Sequence, residues 1–94
     1  SAQNKMNDSK LDKKINNYMS FPLLSQEDMI GEVSVSFTVN PKGKIDVLRI
    51  DSSNPHLIPY VMKRLNMIVL PKDDRKIGSI QNYLINFKNE ENRI

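Results

Sequence analysis

Residues 29–52 read MIGEVSVSFTVNPKGKIDVLRIDS, and this stretch decides the fold. Its first half alternates apolar and polar residues, which is the period of a β-strand with one buried and one solvated face. The apolar set is Val33, Val35, Phe37 and Val39. Residues 40–43, Asn-Pro-Lys-Gly, are typical of a tight turn, because Pro fixes φ and Gly tolerates the last turn position. The stretch therefore predicts an antiparallel β-hairpin.

The second half of the hairpin has one residue too many for a regular strand. Ile45 and Val47 start one apolar alternation. Leu48 and Ile50 then continue it in the opposite phase. An extra residue in one strand of an antiparallel pair forms a β-bulge. We predict that bulge near Asp46 or Val47.

An amphipathic helix is predicted before the hairpin. Asp8 or Ser9 can cap it, and its apolar side chains recur at helical spacing in one stripe. The stripe consists of Leu11, Ile15, Tyr18 and Met19. Residues 1–7 are polar, and we expect them to fray. Phe21-Pro22 ends the helix, because the residue before a proline disfavours helical backbone angles.

A second, short helix is predicted after the hairpin, with Pro59 as its first residue. Proline loses no hydrogen bond at that position, and residues 55–57, Pro-His-Leu, are assigned to the preceding loop. The buried face of this helix is expected to contain Tyr60, Val61 and Leu65, with Met62 as a further candidate. Residues 68–70 are apolar in succession, and we expect them to form an extended segment under the sheet.

Residues 80–88 alternate again and form a third predicted strand. One face carries Tyr83, Ile85 and Phe87, and the other carries Asn82, Leu84 and Asn86. The predicted fold class is α+β, with a small three-stranded antiparallel sheet of order 2-1-3 and two helices on one face. The third strand then lies at an edge of the sheet. Residues 1–20 are assigned to a polar tail and the first helix, 21–88 to the α+β domain and 89–94 to a polar tail.

Length, charge and composition restrict the possible functions. A chain of 94 residues can build one domain with a modest core. No apolar run approaches the roughly 20 residues that a membrane span needs, so we expect no span in this chain. The absence of cysteine excludes disulfides and thiolate metal sites. The net charge of +3 includes a basic cluster at residues 63–76, but Tyr60 is the only aromatic near it. We expect no nucleic-acid binding, with a weakly basic nucleic-acid module as an alternative.

Catalytic chemistry is not indicated by any group of residues. His56 is the only histidine and has no cysteine partner. Asp73-Asp74 and Glu90-Glu91 are neighbours in sequence, so in an extended chain their carboxylates point apart instead of converging on one atom. The three glycines, at positions 31, 43 and 78, are too scattered to cradle a phosphate. We predict a non-catalytic protein without a metal or other cofactor.

The order and spacing of several short motifs resemble the TonB C-terminal-domain family, the periplasmic ends of bacterial proteins that energise outer-membrane transporters. The resemblance covers residues 21–87. It rests on Phe21-Pro22, the G-x-V-x-V-x-F-x-V strand at 31–39, Gly43-Lys44-Ile45, Ser52-Ser53-Asn54-Pro55, Leu70-Pro71 and Ile85-Asn86-Phe87. The chain departs from the family in its short second helix and in containing neither a membrane anchor nor a long Pro-rich linker.

The resemblance implies a periplasmic or secreted domain of the bacterial envelope that binds an extended peptide of a partner protein at its third strand. The chemistry of a sheet edge supports this independently, since unpaired N–H and C=O groups there can pair with an added strand. The predicted peptide-binding edge consists of Gln81, Asn82, Tyr83, Leu84, Ile85, Asn86 and Phe87. Two alternatives are that the chain's own helix or tail covers this edge, or that it pairs with a second copy in a homodimer. The chain begins Ser-Ala-Gln, and small residues of this kind often flank the site where a signal peptide is cut. A mature exported protein is one interpretation, and an arbitrary boundary is an equal alternative.

Overall fold

The computed structural model describes residues 2–3, 10–19, 29–71 and 77–88. In chain order the elements are β1 (Ala2–Gln3), α1 (Lys10–Tyr18), β2 (Gly31–Val39), β3 (Ile45–Ser52), α2 (Leu57–Asn66) and β4 (Gln81–Phe87). The predicted helix caps Asp8 and Ser9, the Phe21-Pro22 pair and both acidic pairs lie outside the described residues.

The strands form one antiparallel sheet with the order β1-β4-β2-β3. The first, second and third predicted strands correspond to β2, β3 and β4. Their observed order, β3-β2-β4, is the predicted 2-1-3 order, and the α+β class is confirmed. The prediction that residues 1–7 fray is wrong for β1, in which Ala2 lies opposite Phe87 and Gln3 opposite Asn86. A strand of two residues carries no alternation that a sequence pattern could show.

The hairpin turn is organised by Asn40. Its side-chain Oδ1 accepts hydrogen bonds from the backbone N–H groups of Lys42 at 2.9 Å and Lys44 at 3.0 Å. Its backbone C=O accepts from the N–H of Gly43 at 2.8 Å, which closes the predicted four-residue turn. Asn40 thus satisfies three backbone donors at a place where the sheet supplies no partner.

The bulge in β3 is confirmed, one residue beyond the predicted position. Ser36 of β2 lies opposite Arg49, but its neighbour Phe37 lies opposite Val47. Leu48 is therefore the extra residue, and its side chain is exposed. This insertion explains why the apolar alternation of β3 changes phase.

One hydrophobic core lies between the sheet and the two helices. The strands contribute the predicted β2 set, and α1 contributes Leu11 and Ile15 of its predicted stripe. Helix α2 begins at Leu57, not at Pro59, and its buried side chains are Leu57, Val61 and Leu65. Pro59 is its third residue, where a backbone N–H still has no acceptor inside the helix. The prediction of a loop at Leu57 is wrong because this side chain is fully buried in the core.

The segment after α2 continues the core along the hairpin turn. Ile68 and Leu70 are buried, whereas Val69 between them is exposed. The N–H of Leu70 donates to the C=O of Gly43 at 2.9 Å, and Val69 forms an antiparallel bridge with Lys44. The predicted extended segment is thus present, with two of its three apolar side chains buried.

Gly31 begins β2 where a side chain has neither room nor a suitable backbone. Its φ is +143°, a value that L-residues rarely adopt. A Cβ atom there would lie 3.1 Å from Cβ of Asn54 and 3.3 Å from Cδ1 of Leu57. Gly78 also has a positive φ, +81°, but a Cβ atom there would meet nothing within 4 Å.

We expect Gly31→Ala to lower the free energy of unfolding by about 2–3 kcal/mol, because it combines backbone strain with crowding. Gly78→Ala serves as the matched control and should cost about 1 kcal/mol, since only the backbone term applies. Urea unfolding of both variants measures the difference. Equal losses would contradict the contribution of crowding at Gly31.

Candidate functional site at the outer edge of β4

The structure divides the seven predicted site residues into two sets. The buried set is Tyr83, Ile85 and Phe87. The exposed and half-buried set is Gln81, Asn82, Leu84 and Asn86. A peptide lying along β4 could therefore contact the side chains of the second set, whereas those of the first set are buried in the core. Leu84 is the most accessible apolar group of this strand, at 53% exposure.

Hydrogen bonds at the end of β2 show which way its backbone groups point. The N–H of Asn40 donates to the C=O of Lys44 at 2.9 Å, on the β3 side. The C=O of Val39 accepts from the N–H of Gly78 at 3.3 Å, on the opposite side. Successive residues of a strand direct their N–H and C=O groups to opposite sides. Even-numbered residues of β2 therefore bond to β3, and odd-numbered residues bond to β4.

The register between β2 and β4 extends this alternation to the edge of the sheet. Odd-numbered residues of β2 lie opposite odd-numbered residues of β4, as Val35 lies opposite Tyr83. The odd-numbered residues of β4 thus use their backbone groups to bond to β2. Asn82, Leu84 and Asn86 direct theirs outward, away from the sheet.

Strand β1 covers only one end of this outer edge. It lies opposite Asn86 and Phe87. Across the described ranges, no strand pairs with the outer side of residues 81–85. The outward N–H and C=O groups of Asn82 and Leu84 are therefore placed to pair with an added strand.

The sheet face beside this edge is mostly polar. The hydroxyl of Ser36 donates to Oδ1 of Asn82 at 2.6 Å. Asp51 pairs with Nε of Arg49 at 2.7 Å, and both side chains are well exposed. A shallow concavity of about 230 Å³ is lined by Glu32, Ser34, Asp51, Ser52, Ser53 and Leu84. Leu84 is the apolar side chain in this lining, next to carboxylates and hydroxyls.

A buried Asp–Tyr pair fastens α1 to β4, and the sequence analysis missed it. The hydroxyl of Tyr83 donates to Oδ1 of Asp12, which is 71 positions away and only 4% exposed. Burial, followed by the hydrogen bond to Asp12 and its negative charge, raises the pKa of Tyr83 well above the ordinary value of 10.0. Asp12 precedes Ile15 by three residues, so helical spacing was the available signal that it faces the core.

Aromatic contacts hold Tyr83 and Phe87 of β4 against the core. The ring of Tyr83 stacks on Phe37, with centroids 5.5 Å apart and planes 7° apart. The rings of Phe87 and Tyr60 meet edge to face at 5.9 Å. The guanidinium of Arg64 lies 5.2 Å from the Tyr60 ring centroid. Burial raises the pKa of Tyr60, and the positive charge of Arg64 partly offsets that effect.

The other predicted features provide little chemistry in the described part of the chain. No group of three or more His, Cys, Asp or Glu residues that could hold a metal ion occurs among the described residues. His56 is exposed before α2, and its backbone N–H donates to Oδ1 of Asn54 at 3.1 Å. Of the basic cluster, Lys63 is exposed and Arg64 contacts Tyr60, whereas residues 72–76 lie outside the description. No helix in the described ranges is both long and apolar enough to cross a membrane.

Comparison with known proteins leaves the family undetermined. No protein-family model matches the chain, and searches of curated proteins and of solved structures find no match either. The resemblance to TonB C-terminal domains therefore stays a prediction from sequence motifs. The geometry of the β4 edge becomes the main basis for a functional argument.

Removing the Tyr83 hydroxyl should destabilise the fold. We expect Tyr83→Phe to lower the free energy of unfolding at pH 7 by about 2 kcal/mol, because the buried carboxylate of Asp12 loses a hydrogen-bond donor. Asp12→Asn is the conservative control and should cost less, since its amide oxygen can still accept from the hydroxyl. Urea unfolding measures both, and a loss below about 0.5 kcal/mol for Tyr83→Phe would contradict this role.

The same pair predicts how stability depends on alkaline pH. The raised pKa of Tyr83 means that the folded state keeps its proton while the unfolded state ionises. Stability present below pH 10 is therefore lost as pH rises toward the folded pKa, by up to about 1.4 kcal/mol per pH unit. The wild type should lose stability more steeply than Tyr83→Phe between about pH 10 and 11.5. Parallel pH profiles in urea unfolding would contradict the shift.

Proposed function

We propose that this chain is a non-catalytic protein-interaction domain that binds an extended peptide of a partner protein by strand addition along β4. The observation that carries the proposal is the outward direction of the N–H and C=O groups of Asn82 and Leu84. An extended peptide can complete these hydrogen bonds as it would in any antiparallel sheet. No side-chain catalyst or cofactor is required for this function.

The anchoring of β4 favours binding at its edge. Tyr83, Ile85 and Phe87 are buried, so the strand is already held in the conformation that pairing requires. The entropy cost of binding would therefore come mainly from ordering the peptide and little from ordering the domain. Backbone hydrogen bonds would supply affinity, and the side chains of Asn82 and Leu84 would supply selectivity.

The resemblance to TonB C-terminal domains supports a location and a class of partner. On that basis we propose that the domain works in the bacterial envelope, periplasmic or secreted, and that the peptide belongs to an envelope protein. Pairing of the same edge with a second copy is the principal competing function, because a free edge accepts any suitable strand.

Two substitutions at one position test strand addition. Asn82→Pro removes an outward N–H while leaving the hydrogen bonds between β4 and β2 intact. Asn82→Ala is the matched control, because it removes the same side chain, including its bond to Ser36, but keeps the N–H. Both variants are first shown to be folded by circular dichroism and urea unfolding.

Each variant is then used to capture proteins from nuclease-treated bacterial envelope extract. We expect a partner that binds Asn82→Ala somewhat more weakly than wild type, because a side-chain contact is lost, and that binds Asn82→Pro about ten-fold more weakly than Asn82→Ala or not at all. Equal capture by all three folded proteins would refute binding through this edge. A dimer that light scattering detects in the wild type and not in Asn82→Pro would assign the edge to self-association instead.

A further inference from the structure

Strand β1 already occupies part of the edge proposed for the partner. Gln3 lies opposite Asn86, whose backbone groups point outward, so these two residues can exchange a pair of hydrogen bonds. Ala2 lies opposite Phe87, whose backbone groups point toward β2. The N–H of Ala2 consequently points away from β4.

We propose that β1 is an autoinhibitory strand, which a partner peptide must displace in order to pair with the whole of β4. This inference rests on the proposed function and concerns its regulation. Strand β1 has two residues and β4 has seven, so among the described residues β1 pairs with only one end of the edge. A peptide long enough to pair with Asn82, Leu84 and Asn86 makes more backbone hydrogen bonds than β1 does and can replace it.

The position of α1 explains how so short a strand can compete. Leu11 and Ile15 pack in the core, and Asp12 binds Tyr83 from the core side of β4. Residues 4–9 connect this anchored helix to Gln3. A short covalent connection raises the effective concentration of the tethered segment to about the millimolar range. A free peptide of equal intrinsic affinity therefore has to exceed that concentration before it displaces β1.

Proline substitutions at the two residues of β1 test its pairing with β4 while both keep its covalent connection to α1. Gln3→Pro removes the N–H that bonds to Asn86, whereas Ala2→Pro removes an N–H that points away from β4. Both substitutions leave the residues of β4, and with them the outward groups of Asn82 and Leu84, unchanged. The probe is a synthetic heptapeptide with the sequence of residues 1–7, SAQNKMN, titrated into the full chain.

NMR spectra of the backbone amides measure both how well β1 protects the edge of β4 and how strongly the heptapeptide competes with β1. In Gln3→Pro we expect hydrogen exchange of the Asn86 amide to become about three-fold faster than in wild type. We also expect the heptapeptide to shift the Leu84 and Asn86 amide signals with an apparent affinity about five-fold higher than for wild type. Ala2→Pro should match the wild type in both respects.

Several outcomes would overturn the inference. Unchanged Asn86 exchange in Gln3→Pro would show that β1 does not cover the edge. Faster exchange without stronger heptapeptide binding, or the same gain in Ala2→Pro, would show that the cover is not inhibitory. The double variant Gln3→Pro/Asn82→Pro identifies a failure of the proposed function. If it binds the heptapeptide as strongly as Gln3→Pro does, strand addition itself is refuted. Exchange of the Asn86 amide, by contrast, tests protection by β1 without any partner.

Discussion

The pairing of β2 on both of its sides is the constraint on which the rest of the structure depends. A central strand has to direct its backbone groups alternately to its two neighbours, and here these are β3 and β4. Its alternating side chains place Val33, Val35 and Phe37 on the core face, where the helices cover them. Both alternations arise from one extended backbone. They therefore fix the position of the core and, through the register with β4, the direction of the outward groups at the edge.

The N-terminal helix completes the core and also acts on the candidate site. Its apolar stripe packs under the sheet, and Asp12 reaches a tyrosine that belongs to β4. The strand proposed to bind a peptide is thus held from its core side by α1 and partly covered at its outer edge by β1. The same N-terminal segment orders the edge and competes for it, which links the stability of α1 to access by a partner.

The proposed function follows from backbone geometry more than from side-chain chemistry. Buried aromatic residues fix β4, so the hydrogen-bonding groups of its edge are preorganised. The concavity beside Leu84 is shallow and offers hydroxyls and carboxylates, which suits selection among peptides better than enclosure of a small molecule. Recognition would therefore be tolerant of sequence along most of the peptide and selective at the positions that face Asn82 and Leu84.

Local patterns in the sequence determined the hairpin, its turn, its bulge, the stripe of α1 and the two faces of β4, because these depend on the spacing of neighbouring residues. The start of α2 depended on the tertiary structure: Pro59 fits any position of the first turn, and only burial of Leu57 places the helix two residues earlier. The Asp12–Tyr83 pair and β1 join segments far apart in sequence, so no local period predicts them. The order of the strands could be inferred from the sequence. Which backbone groups face outward could not, because that depends on the hydrogen-bonding register between β2 and β4.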